Sequence, residues 1–192
     1  MSETGIRSLT AGLFAILVLG AVVGSVWTNL LLWICVAVVA VTEWRRPLVD
    51  DKSYSSFLFA GLMVTLIFVN MSMVWNPEHG FNPSPMLTCI ALIWTNDTGA
   101  YLVGKPMGKH KLLPSVSPGK SWEGLVGGVF LASVVSGLLM GWNHAWIGGG
   151  LGLVATAGDL LESFWKRGHG IKDSGTILPG HGGVLDRFDG FV

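Results

Sequence analysis

Charge is what this sequence has least of. Asp, Glu, Lys and Arg make up 12% of its 192 residues, against about a quarter in a soluble domain. Apolar residues supply 51% and mean hydropathy is +0.58. A water-facing surface cannot be covered from such a composition, which excludes an ordinary soluble domain and leaves a polytopic membrane protein. Twelve basic and twelve acidic residues cancel, so no basic excess points to a nucleic-acid partner, and none is expected. Cysteine is nearly absent too. Cys35 and Cys89 each lie in an apolar stretch, without the pairing or polar flanks of a disulfide framework or a zinc site. They read as small buried hydrophobes.

Long uncharged runs are what the chain does have. No residue from Ser8 to Thr42 is charged, too long for one span, and Gly24-Ser25 with Thr28-Asn29 offers a turn. Two helices are expected, at about 8–26 and 29–44. A cleaved signal peptide competes for the first, but the next apolar segment follows at once and no polar domain appears. Further spans are expected at about 56–75, 85–103, 122–141 and 145–165, with the polar stretch Asn76 to Pro83 breaking the pattern. A seventh could start near Gly182 but stops at Val192, too short to cross. The fold class expected is all-α: one membrane-embedded helix bundle over residues 1–192, with about six transmembrane helices and a truncated seventh.

The basic residues test this layout. Arg7 precedes the first span; Arg45, Arg46 and Lys52 lie between the second and third. Lys105, Lys109, Lys111 and Lys120 lie between the fourth and fifth, and Lys166, Arg167, Lys172 and Arg187 follow the sixth. All twelve fall on one side, which the positive-inside rule makes cytoplasmic.

Carboxylates inside spans cost roughly 2.5–3.5 kcal/mol each on insertion scales and by default mark function. Asp97 lies late in the fourth span. Asp159 and Glu162 lie near the cytoplasmic end of the sixth, and with Ser163 and Lys166 their spacing puts them on one helical face. The bland alternative is an internal salt bridge to Lys166 or to a loop arginine. Asp186 and Asp189 repeat the pattern after a glycine-containing loop, Pro179-Gly180-His181-Gly182-Gly183. Four hard oxygen donors at a membrane boundary suit Mg2+, which binds through one or two carboxylates plus substrate phosphates. Glycines let backbone N–H groups approach phosphate.

Two ordered blocks carry more. Ser163-x-x-Lys166-Arg167-x4-Lys172-Asp173-x5-Pro179-x-His181-Gly182-Gly183-x-x-Asp186-Arg187-x-Asp189 resembles the signature of the phosphatidate cytidylyltransferase family. Asp97-Thr98-Gly99-Ala100-Tyr101-x-x-Gly104-Lys105, followed by Ser117-Pro118-x-Lys120-Ser121-Trp122-Glu123-Gly124, is similar to its central loop. The blocks occupy residues 94–124 and 158–189. Trp165 stands where that signature has an aliphatic residue, and Gly119 where a second lysine is frequent. The chain ends three residues after Asp189, where such relatives continue into a further membrane helix, so a fragment lacking its C-terminal helix is expected.

The resemblance implies nucleotidyl transfer: the phosphate of phosphatidic acid attacks the α-phosphorus of CTP and pyrophosphate leaves. Asp159, Glu162, Asp186 and Asp189 would hold Mg2+, with K+ a candidate monovalent companion. Lys166, Arg167, Lys172, His181 and Arg187 would hold phosphate groups, and Asp173 would orient a lysine or the cytosine. Asp97, Lys105, Ser117, Lys120, Ser163, Gly182 and Gly183 would complete the substrate pocket. The site would face the cytoplasm at a bacterial inner membrane, and a homodimer is a reasonable expectation. The rivals are a CTP-dependent enzyme acting on archaeol phosphate or a polyprenol, an inactive truncated relative, and a transporter. A transporter would place its carboxylates near the midplane of broken helices.

Overall fold

The computed structural model describes residues 3–47, 54–175, 177, 182–188 and 190. They are predominantly helical and form two compact units, residues 1–87 with 168–188 and 192, and residues 88–167 with 189–191.

In the first unit α1 (Glu3–Gly24) and α2 (Val26–Arg45) are separated by one residue. The loop expected near residues 27–29 is absent because Ser25 closes a capping box. Its Oγ accepts the Thr28 backbone N–H at 3.1 Å, while Thr28 Oγ1 accepts the Ser25 N–H at 2.9 Å. Thr28 Oγ1 also donates to the Ala21 carbonyl of α1 at 2.8 Å, tying the two helices at their junction. The third helix, α3 (Tyr54–Val74), meets α2 through a buried amide pair, Asn29 Nδ2 donating to Asn70 Oδ1 at 2.7 Å. Trp44 stacks on Phe59 at 4.3 Å between ring centroids.

All-helical is not quite the outcome. The polar stretch after α3 forms a small hairpin of β1 (Trp75–Asn76) and β2 (Gly80–Phe81). Asn76 Oδ1 accepts the Glu78 N–H, and Gly80 takes the left-handed φ of +74° that the turn requires. A second hairpin, β3 (Lys111–Leu113) with β4 (Ser117–Ser121), lies in the second unit between α4 (Ser84–Met107) and α5 (Trp122–Met140). Ser121 ends β4 and caps α5, its Oγ accepting the Gly124 N–H at 3.1 Å.

After a single 3-10 turn, α6 (Ala145–Gly168) returns against α5. The buried face of α5 is Gly124, Gly128, Ala132, Ser136 and Gly137, and that of α6 begins Gly148, Gly149, Gly152 and Ala155. Lipid gives helices no hydrophobic reason to associate, so small residues must let backbones approach closely. A Cβ on Gly128 would come 2.6 Å from the Asn96 carbonyl of α4, and one on Gly152 2.6 Å from Asn96 Oδ1. In the first unit a last short helix, α7 (Leu185–Phe188), buries Phe188 edge-on against Trp33 and Phe14.

The six long helices run 19 to 24 residues, about the length that crosses a hydrocarbon core of roughly 30 Å. Among the described residues, α2 and α5 are long and apolar enough throughout to cross a membrane, and Leu9–Gly24 and Leu58–Val74 are shorter apolar helical stretches. Every long helix exposes large apolar side chains, among them Ile16, Trp27, Phe68, Leu102, Phe130 and Phe164. That surface fits lipid rather than water. The chain is a membrane protein.

Candidate functional site

The second unit contains a cavity of about 500 Å³ lined by α4, the β3–β4 hairpin, α5 and α6. Four of the residues singled out from sequence meet there: Asp97 and Lys105 on α4, Lys120 on β4 and Asp159 on α6. Their placement follows from the local folds. The close approach of α4 to α5 at Gly104 and Gly124 brings the hairpin over the helix ends, and β4 carries Lys120 one residue before the Ser121 cap.

Lys120 Nζ lies 2.5 Å from Asp159 Oδ2, with the two side chains 26% and 31% exposed. Asp97 lies close enough to interact electrostatically with both. Two carboxylates and two ammonium groups therefore line the cavity, and Lys120 offsets the repulsion between the acids. Asn96, also lining it, is buried, and its Oδ1 has no hydrogen-bond partner while Nδ2 donates to Thr156 Oγ1 at 3.3 Å. At the cavity's edge Lys105 Nζ donates to the Tyr101 hydroxyl at 2.7 Å and lies 5.0 Å from the centroid of its ring.

The expected face of α6 is present. Ser163 Oγ donates to Asp159 Oδ1 at 3.2 Å, and Lys166 Nζ lies 3.2 Å from Glu162 Oε1, with Glu162, Ser163 and Lys166 all buried. Glu162 thus makes the internal salt bridge that was its alternative role. Ser117 pairs with Leu113 across the hairpin and does not line the cavity.

In the first unit the signature segment is organised by its own backbone. Asp186 Oδ2 accepts N–H groups from Ser174 at 2.9 Å and Gly183 at 2.8 Å. The Gly183 N–H expected to meet phosphate is therefore engaged with Asp186. Gly182 has φ +83°, and a Cβ there would come 2.6 Å from Asp186 Oδ2. Arg167, Lys172, Asp173 and Arg187 are exposed. His181 and Asp189 lie outside the described residues. Among the described residues no group of three or more His, Cys, Asp or Glu is placed to hold a metal ion. Of the four carboxylates expected to bind one, Asp159 and Glu162 belong to the second unit and Asp186 to the first.

Several contributors escaped the sequence reading. Glu43 of α2 is fully buried and accepts hydrogen bonds from Ser174, Val184 and Leu185. It sits between an uncharged run and two arginines, where a carboxylate reads as an ordinary helix-end charge. Glu123, inside the central-loop block, accepts from His110 Nδ1 at 2.7 Å and from the His110 backbone, pinning the entry to β3. The motif spacing held that signal, but no partner could be named from it.

The profile of the Cytidylyltransferase family matches residues 4–192. A phosphatidate cytidylyltransferase of Staphylococcus aureus (strain COL) is 48% identical over 115 residues, covering 56% of this chain and 44% of that protein. One from Staphylococcus saprophyticus is 47% identical over 115 residues, with the same coverage of 56% and 44%. One from Haemophilus influenzae is 40% identical over 126 residues, 59% of this chain and 43% of the relative. The matches thus span a little under half the length of these relatives.

Proposed function

The chain belongs to the cytidylyltransferase family, and from that premise we propose that it transfers a cytidylyl group from CTP to phosphatidic acid. An oxygen of the phosphatidate phosphate bonds to the α-phosphorus of CTP, and the bond from that phosphorus to the β-phosphate's bridging oxygen breaks. The products are CDP-diacylglycerol and pyrophosphate. The nucleophile is an anion near neutral pH, so positioning and charge neutralisation matter more than a general base.

The observation that carries the reading is the cavity in which Asp97 of α4, Asp159 of α6 and Lys120 of β4 converge. Its donor set, the carboxylates of Asp97 and Asp159, is of the hard-oxygen kind that suits Mg2+. Asp97 and Asp159 would hold the ion, which when bound neutralises triphosphate charge. Lys120 and Lys105 offer ammonium groups to phosphate oxygens, and Ser163 steadies the Asp159 carboxylate. Lys120 exchanges its carboxylate partner for substrate phosphate when CTP enters. Phosphatidic acid reaches the cavity with its acyl chains still in the bilayer.

The same reading has α1 to α6 crossing the membrane, supported by the apolar exposure on every one of them and by the one-sided placement of Lys and Arg. The basic loops then face the cytoplasm of a bacterial inner membrane, where CTP is found. The test is synthesis of CDP-diacylglycerol from CTP and phosphatidic acid by membranes carrying the chain. Product formation that requires both substrates and a divalent cation is expected. Failure to form it in membranes where the chain is inserted and folded would overturn the assignment.

A further inference from the structure

Glu43 is the only acidic residue of α2, and it is 0% exposed. Its carboxylate accepts from the Leu185 N–H at 2.8 Å, the Val184 N–H at 3.1 Å and the Ser174 hydroxyl at 3.2 Å. The same two stretches of chain are joined again by Asp186, whose Oδ2 accepts the Ser174 and Gly183 N–H groups. Two carboxylates thus clasp the segment at 174 to the turn at 183–185. Glycines make room for the clasp. A Cβ on Gly183 would come 2.6 and 2.7 Å from the Glu43 oxygens, and one on Gly175 2.9 Å from Glu43 Cδ. A buried carboxylate is costly unless donors satisfy it, and an apolar residue is often the cheaper filler. An acid here is better explained by what it holds than by stability alone.

We propose that Glu43 is a positioning residue: from α2 it joins Ser174 to Val184 and Leu185 of the signature, and so fixes the orientation of Asp186 and Arg187, without touching substrate. The kinetic consequence rests on the nucleotidyl-transfer reading; the structural part does not.

Two readouts on the full chain separate them: hydrogen–deuterium exchange of peptides covering 172–190, with α5 peptides as the internal control, and kcat and KM for CTP. Glu43→Gln keeps the shape but replaces one acceptor oxygen by a donor, so it cannot serve all three partners. Exchange in the signature segment should quicken by about tenfold or more, the scale of losing one charge-assisted bond, while α5 stays protected. kcat should fall by about tenfold or more with KM within about twofold, because groups are misplaced rather than removed. Glu43→Ala should be worse on both, and Glu43→Asp should recover part of the loss. Unchanged exchange in Glu43→Ala overturns the proposal. So does equal loss of protection in α5, or a kcat loss that only tracks the folded fraction, since either marks general destabilisation. If the parent chain makes no CDP-lipid, the transfer reading fails by itself and the exchange arm still decides for or against the clasp.

Discussion

Asp159→Asn separates catalysis from architecture at the cavity. The Asp159 carboxylate lies 2.5 Å from Lys120 Nζ and accepts from Ser163 Oγ at 3.2 Å. In a medium of effective dielectric near 20, such a pair would be worth about 4 kcal/mol at 4 Å. Both side chains are roughly a quarter to a third exposed, so solvent reduces the net value to about 1 kcal/mol or less. Relief of the repulsion from Asp97 offsets part of even that. Asparagine keeps the size and an oxygen for Ser163, so the fold should survive with its thermal midpoint in detergent lowered by no more than a few degrees. Removing an anion proposed to hold the divalent cation is another matter. Loss of about 4 kcal/mol of transition-state stabilisation is a rate loss of about a thousandfold. The assay is CTP-dependent CDP-lipid formation at saturating Mg2+, normalised to folded protein. If Asp159 served only to seat Lys120, Lys120→Gln would be equally damaging and the double variant no worse than either. Near-normal turnover by Asp159→Asn, or that pattern of equal loss, would refute the metal-holding role.

Other outcomes follow from the same geometry. Asp186→Asn should leave the chain inserted and folded, because one side-chain oxygen still accepts from Ser174 and Gly183, yet cut CDP-lipid synthesis by about a hundredfold or more if the carboxylate's charge is used; normal turnover would return Asp186 to a purely structural part. Gly148→Ala puts a Cβ 2.7 Å from Ser136 Cβ and against the Ala132 carbonyl, so α5 and α6 must separate, at about 1–3 kcal/mol read as a lower unfolding midpoint. Ser121→Ala removes the α5 cap and should cost about 1 kcal/mol in the same measurement. Cysteines placed at Lys109 and Lys172 should react with an impermeant thiol reagent from the same side of sealed vesicles, and labelling from opposite sides would break the six-span topology.

The sequence was most legible where one physical rule dominated. Helix boundaries followed the apolar runs: helices expected at 56–75, 122–141 and 145–165 are Tyr54–Val74, Trp122–Met140 and Ala145–Gly168. The shared face of Asp159, Glu162, Ser163 and Lys166 followed from helical spacing. Legibility failed where the partner lay far along the chain. Nothing near Glu43 announces Ser174 or Leu185, 131 and 142 residues away. Nor does spacing reveal that Lys120 faces Asp159, because a hairpin intervenes that an all-helical reading did not contain. The turn expected at Gly24-Ser25 with Thr28-Asn29 is present, but it is a single residue, shorter than expected for a local reason. Its capping box uses threonine, rather than glutamate or glutamine, as the reciprocal partner.

These placements explain why the two motif blocks contain residues of such different character. Ser121, Glu123 and Gly124 cap α5, pin His110 and let α4 approach, so they hold the hairpin that delivers Lys120. Gly183 and Ser174 form the clasp around Glu43 and Asp186. Only some motif positions, Asp97, Lys105, Lys120 and Asp159 among them, turn their functional groups to the cavity. The two kinds answer to different physics: the first to hydrogen-bond satisfaction and close backbone contact, the second, on the proposed function, to the charge of a triphosphate and its cation. Substitution distinguishes them. Changes at clasp and cap positions should move stability and exchange first, with activity following. Charge-removing changes at the cavity should lower turnover while the fold stays in place. A motif match records both constraints together, and only the geometry shows which one each residue obeys.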